Sequence, residues 1–180
     1  MNCRCYAIVT LFYCTGAFSV QDSIYLFKQQ RNIVLAFEKA KESDQKEYLN
    51  AKRSTYEKLF LEEFKKWHID DPYGIKLGQA LIDYTEYEKN VVLTHDTIYF
   101  LVAMCPCLKL WPWLGKEIAD GDHGIYTPWA KANFDPTYVG FEKVDKLIDE
   151  AEAMGQIDRN LALEVYNKCM NGEYQFFNSI

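Results

Sequence analysis

A cysteine that follows a proline, and two acids set among aromatic residues, are the parts of this sequence with chemistry to offer. Cys107 closes Cys105-Pro-Cys107 inside an otherwise apolar run. A thiolate is a strong nucleophile, but only where something takes the thiol proton. No residue beside Cys107 supplies a base, and only His68, His95 and His123 exist to supply an imidazole from elsewhere. That weakens a cysteine–histidine pair and leaves carboxylates and tyrosines as partners. On burial statistics alone such a cysteine is an inert core residue. Asp22 sits in Phe18-Ser-Val-Gln-Asp-Ser-Ile-Tyr-Leu26, where an acid is costly unless paired or facing a polar site. Glu173 opens Glu173-Tyr-Gln-Phe-Phe177, with aromatics at the first, third and fourth following positions. For either acid alone a solvated helix face is the plain reading. Together, an acid near each end and a Pro-Cys in the middle form a constellation that a fold can assemble.

Other combinations carry less. The six cysteines include no Cys-x-x-Cys pair, and no His/Cys spacing suits zinc. The pattern is also unlike a small secreted disulfide scaffold. Asp120-Gly-Asp-His-Gly124 has the look of a metal loop but lacks the further ligands of a calcium site, so it is read as a solvated turn. Each lone histidine is read as a surface or loop residue. With 20 Lys+Arg against 26 Asp+Glu, the net charge is −6, and no basic stripe marks a nucleic-acid partner. Aromatic residues are 16% of the chain, a composition suited to apolar pockets with polar handles.

The elements that must position these residues read as helices. At 180 residues the chain is the length of one domain with a core of its own. The apolar spacing predicts helices from Val20 to about Ser43, from Ser43 through Trp67, and from about Gly78 to Asn90. Ser43-Asp-Gln-Lys-Glu47 resembles a capping box at the start of the second. Further helices are expected over Thr97 to Ala119, Tyr126 to Asn133, Val139 to Ala153 and Asp158 to Phe177, with Asp158 as the last N-cap. Pro106 is read as the first turn of a new helix, which would place Cys107 where the helix dipole favours a thiolate. No period-two alternation or hairpin turn appears, so the fold class is all-α, and no internal repeat indicates a solenoid. Residues Cys5 to Val20 are uncharged. They suit either a signal-peptide h-region cut near Ala17 or Ser19 or a buried helix, and are too short and too rich in Cys, Thr and Gly for a comfortable membrane span.

Read in order, the sequence resembles the TenA/thiaminase II proteins, whose fold is the haem-oxygenase-like helical bundle. The motifs are Gln21-Asp22-x-x-Tyr25-Leu26, Tyr84-Thr85-x-Tyr87, Pro106-Cys107 followed by Leu114-Gly115, Tyr126-x-x-Trp129 and Glu173-x-x-Phe176-Phe177. They span nearly everything from Phe18 onward, which divides the chain into a divergent or truncated segment, 1–17, and a TenA-like helical domain, 18–180. The resemblance implies an aminopyrimidine hydrolase or thiaminase acting on thiamin or its breakdown products in thiamin salvage. It makes Cys107 the nucleophile that adds to the pyrimidine ring. Glu173 becomes the proton donor and acceptor at the ring nitrogen and leaving group. Asp22 becomes the hydrogen-bond partner of the ring's amino group and nitrogen, with Tyr25 beside it. Tyr84 and Tyr126 shape the pocket. The chemistry is coherent, because an electron-poor pyrimidine accepts a thiolate when a nearby acid protonates its ring nitrogen. No metal or organic cofactor is required. The resemblance further implies a cytosolic homotetramer whose partner is a small molecule rather than nucleic acid or a membrane. The resemblance also makes Phe18 to Leu26 part of one helix, whose start a cut after Ser19 would remove, and so favours a buried helix at the N-terminus; a secreted protein is the alternative if residues 1–19 act as a signal peptide.

The chain departs from the family pattern in four places. A preceding helix with His-Pro-Phe is missing; Lys109 and Trp111 replace a Trp and a Tyr after Pro-Cys; Phe177 stands for a Trp; and the chain ends at Ile180, sooner than usual. Lys109 and Trp111 are expected near the nucleophile, where they would bear on substrate choice. Two other readings stay open: a non-catalytic binding or interaction protein on the same fold, and a haem-oxygenase-like oxidase. The second would need histidines or carboxylates facing a cavity, and the histidines here occupy loop-like positions.

Overall fold

The computed structural model describes residues 3–118, 120–124 and 127–179, with side chains described from residue 16 onward except 128, 129 and 132. Tyr126 lies outside the described residues, as does the side chain of Trp129. The described chain is helical: α1 (Cys3–Lys39), α2 (Ser43–Trp67), α3 (Gln79–Thr94), α4 (Thr97–Ile118), α5 (Thr127–Asn133), α6 (Glu142–Ala153) and α7 (Arg159–Asn178). No strand occurs among the described residues.

The centre of the bundle is α4. It is apolar on all sides, and the run from Thr97 through Leu108 is buried without interruption. A helix that is apolar all round must be enclosed by others; α1, α3, α6 and α7 all pack on α4. By length and composition α4 would also pass for a membrane span, but most of it is inside the bundle. The most extensive pairing is α1 on α2, joined through residues 40–42. Aromatics hold that pair: Phe27 meets Phe60 edge-on at 5.3 Å and Phe64 at 5.8 Å. Most polar residues of α2 face outward, while Gln45, Tyr48, Leu49, Tyr56 and Phe60 are buried.

Several boundaries differ from expectation for local reasons. The helix expected from Val20 and the one favoured over the uncharged run before it are a single element, α1, which runs from Cys3 unbroken past Ser19. The capping box at Ser43 does not form: Glu42 is the N-cap and makes no side-chain cap bond, while the Ser43 hydroxyl turns to Asp44. α6 starts at Glu142 rather than Val139, because 135–141 is taken up by turns. Asp158 caps α7 as expected, accepting from the amides of Asn160 and Leu161 at 2.8 and 3.2 Å. Pro106 does not begin a helix. It and Pro112 both lie inside α4, so Cys107 sits mid-helix, beyond the reach of any helix N-terminus. Each proline deprives the carbonyl four residues earlier of its amide donor and bends the helix.

Two glycines permit the approaches that shape the site. A β-carbon on Gly172 would stand 2.5 Å from the Tyr84 ring, so only glycine lets α7 close onto that tyrosine. A β-carbon on Gly115 would meet the backbone of Pro136 at 2.8 Å, so glycine there lets segment 134–138 lie against α4.

Candidate functional site

Five of the six site residues expected from sequence converge, each delivered by a buried helix. Asp22 and Tyr25 come from α1, Tyr84 from α3, Cys107 from α4 and Glu173 from α7. Asp22, Tyr25 and Cys107 floor a cavity of about 430 Å³, whose wall includes Phe18, Tyr56, Trp111 and Tyr138 and whose mouth carries Lys52, Glu62, Glu63 and Asp135. That volume suits a small heteroaromatic ligand. Behind Cys107 the cavity narrows into a recess, where Tyr84, Glu173, Phe176 and Phe177 join Asp22, Tyr25, Cys107 and Trp111. Glu173 therefore meets the cavity from its inner end.

The polar groups of the recess are tied together. The Tyr84 hydroxyl donates to Glu173 Oε1 at 2.9 Å. The Tyr25 hydroxyl lies 3.4 Å from that of Tyr84, and the two rings stack at 5.3 Å. Tyr25 also reaches Glu88 Oε1 at 3.3 Å, and Gln29 Nε2 donates to the same oxygen at 2.5 Å. Aromatic rings seal the recess: Phe18 stacks on Phe176 at 5.3 Å, and Phe177 meets Trp111 at 6.1 Å.

Burial governs the charges. It pushes the Glu173 carboxyl up to about 7, against the lowering effect of hydrogen bonds from Tyr84 and Cys107. Burial also raises Asp22 to about 7, with the negative charges of Glu173 and Glu63 adding to the rise. The Cys107 thiol is pushed well above its ordinary range by burial first, then by Glu173, Asp22 and Glu88; a Tyr25 hydrogen bond acts the other way. The resting residue is thus a neutral thiol, not the thiolate expected of a helix N-terminus. Two half-titrated acids beside a thiol can take its proton and return one.

Lys109 is not at the site. It pairs with Asp145 at 2.7 Å in a separate groove formed by α4, α6 and α7. Trp111 does line the cavity, and Phe177 lines its recess. His68 and His95 cap the C-termini of α2 and α3, and neither lines the cavity, nor does His123. Among the described residues no group of three His, Cys, Asp or Glu could hold a metal, and Asp120 to Gly124 remains a turn in which Asp122 accepts from the Gly124 amide. Sequence reading missed Glu88 and Gln29. Glu88 is four residues after Tyr84, on the stripe of Leu81, Tyr84, Thr85, Val91 and Val92 that α3 buries. An acid in register with a buried stripe was the available signal.

This helical arrangement is the TenA-like fold. Two solved structures share it: a TenA family transcription regulator from Silicibacter sp. TM1040, and a protein from Sulfolobus solfataricus P2 assigned as a TenA-like thiaminase. The first superposes with a TM-score of 0.79 at 15% identity, over 92% of this chain and 80% of its own. The second gives 0.65 at 21% identity, over 91% and 78%. At such identities the likeness establishes the fold. No protein-family model matches the sequence, and no curated protein matches it.

Proposed function

We infer that this chain is a cysteine-dependent hydrolase of thiamin-type aminopyrimidines. The observation that carries the reading is the meeting of Cys107, Glu173 and Asp22, from three helices, at one aromatic-walled cavity. The TenA-like thiaminase fold of one structural neighbour supports it.

The geometry supports the following order of steps. A planar ring enters between Tyr25, Tyr56 and Trp111, with its amino group and one ring nitrogen against Asp22. Ionised Glu173 takes the Cys107 proton, and the sulfur bonds to a ring carbon. The displaced electron pair moves to the ring nitrogen, which neutral Asp22 protonates. Glu173 then gives its proton to the leaving group as the bond to the exocyclic methylene breaks. Water adds at that carbon and returns a proton to Glu173; the ring proton returns to Asp22 as the carbon–sulfur bond breaks, and Glu173 gives its proton to the departing sulfur, which restores the cysteine thiol and the ionised Glu173. The scheme needs one acid ionised and one neutral, which two coupled carboxyls near 7 supply around neutral pH.

The test is turnover of 4-amino-5-aminomethyl-2-methylpyrimidine and of thiamin, in parallel, by the protein and its Cys107→Ser variant. The expected result is turnover of at least one compound that collapses in the variant. No turnover of either by folded protein would favour a binding protein on the same fold.

A further inference from the structure

Glu88 is the most deeply enclosed acid of the chain, with 0% of its surface exposed, and no step above uses it. Its Oε1 accepts from Gln29 and lies 3.3 Å from the Tyr25 hydroxyl. Its Oε2 is buried with no hydrogen-bond partner. A buried carboxylate with a bare oxygen is expensive, so such a group is kept for a reason other than stability.

The surroundings decide its charge. The titratable groups within electrostatic reach are Tyr25 on α1, Tyr56 on α2, Tyr84 on α3, Cys107 on α4, and Cys169 and Glu173 on α7. Every one is an acid, and none is a cation. Burial and the nearby Glu173 drive the Glu88 carboxyl well above the carboxylate range. Burial and Glu173 thus favour the neutral form of Glu88, behind a recess in which Glu173 titrates near neutrality.

The position of Glu88 also bears on Tyr84. A tyrosine has one hydroxyl proton, and both Glu173 and Glu88 compete for the one Tyr84 carries. An ionised Glu88 would draw that proton away. A neutral Glu88 leaves it to Glu173 and can donate to the Tyr25 oxygen, as Gln29 does, so that the single Tyr25 proton is left for Tyr84 or Cys107 rather than drawn to Glu88.

We propose that Glu88 is a positioning residue for the catalytic pair: from behind the recess it leaves the Tyr84 hydroxyl to Glu173 and, with Gln29, fixes the Tyr25 hydroxyl that faces Cys107. It never touches the substrate. The catalytic part of this assignment rests on the hydrolase reading; the positioning of Cys107 does not.

The test compares Glu88→Gln with Glu88→Met. Gln keeps the shape, the acceptor and the absence of charge; Met keeps only the bulk. The readout that needs no substrate is the pH dependence of Cys107 alkylation by iodoacetamide, followed on the Cys107 peptide by mass spectrometry, with thermal unfolding measured alongside. Glu88→Gln is expected to keep the wild-type alkylation profile. Glu88→Met is expected to move its midpoint upward by about half a pH unit or more, because the Tyr25 hydroxyl is no longer held beside the thiolate. If the protein turns over an aminopyrimidine, Glu88→Met should lower kcat about tenfold or more with KM little changed, and Glu88→Gln should restore most of it. A wild-type alkylation profile in Glu88→Met would make Glu88 a packing residue and overturn the proposal. A shift of a unit or more in Glu88→Gln would show that Glu88 is charged and overturn it equally. Should Glu88→Met not fold, Gln29→Met removes the other group that holds Tyr25 and is expected to shift the profile in the same direction; no shift there would overturn the proposal. Absence of turnover with the predicted alkylation shifts would count against the hydrolase reading and leave the positioning of Cys107 intact.

Discussion

The reactivity of Cys107 depends on which neighbour takes its proton. Burial and three nearby acids hold the thiol neutral, and no cation lines the recess to offset them. The proton must go to a carboxylate, and Glu173, hydrogen-bonded to Cys107, is placed to receive it. In the proposed hydrolase chemistry Glu173 is ionised to begin and Asp22 neutral to protonate the ring, so kcat/KM should follow a bell centred near neutral pH. Tyr84→Phe removes the hydrogen bond that favours ionised Glu173. Its pKa then rises, so the acid limb of the bell should move to higher pH; a limb that stays or falls would separate Tyr84 from the proton transfer. Asp22, Tyr25, Tyr84, Cys107 and Glu173 were legible in the sequence because each stands in a motif or in an apolar setting that an acid or thiol does not suit. Glu88 escaped notice because α3 reads as an ordinary amphipathic helix until its buried face is known.

Helices fix where these side chains stand, and two features of their sequences do most of it. Pro106 within α4 was taken for a helix start because proline is common in first turns. The run from Thr97 to Leu108 is so apolar that the bundle encloses it, and enclosure keeps one continuous helix despite two lost hydrogen bonds. Tertiary packing is invisible to a local rule. Gly172 is the second feature, one residue before Glu173 and in contact with Tyr84. Gly172→Ala should cost about 1–3 kcal/mol through overpacking and should also displace the Tyr84 ring. The expected outcome is a lower Tm together with a loss of turnover larger than the loss of folded protein; unchanged kcat in the folded fraction would contradict it. Asp158→Ala, at the N-cap of α7, should cost about 1 kcal/mol by denaturant unfolding while leaving the pH profile in place. The helix starts at Ser43 and Arg159 were legible to within a residue, and the uncharged run before Val20 is helical as the favoured reading had it, though nothing in it signalled that it and the helix from Val20 are one unbroken element.

The bundle as a whole encloses acids that water would ionise, and its stability must reflect that. Asp22 and Glu173 each titrate near 7 in the fold, above their ordinary values of 3.8 and 4.5. Between those limits the folded state binds more protons than the unfolded one, so stability falls as pH rises from about 4 to about 7. Glu173→Gln removes one such group, and the slope of Tm against pH over that range should flatten; an unchanged slope would place the burial cost elsewhere. The same enclosure makes the site a product of the assembled molecule, because its acids and its thiol come from the first, fourth and last helices and meet only when α4 is surrounded. The most direct test is a crystal structure of Cys107→Ser with 4-amino-5-aminomethyl-2-methylpyrimidine at saturating concentration. The predicted result is a ring in the cavity between Tyr56 and Trp111, its amino group and a ring nitrogen on Asp22 and a ring carbon facing the serine hydroxyl. A ring bound elsewhere, or a cavity left without it, would contradict the account.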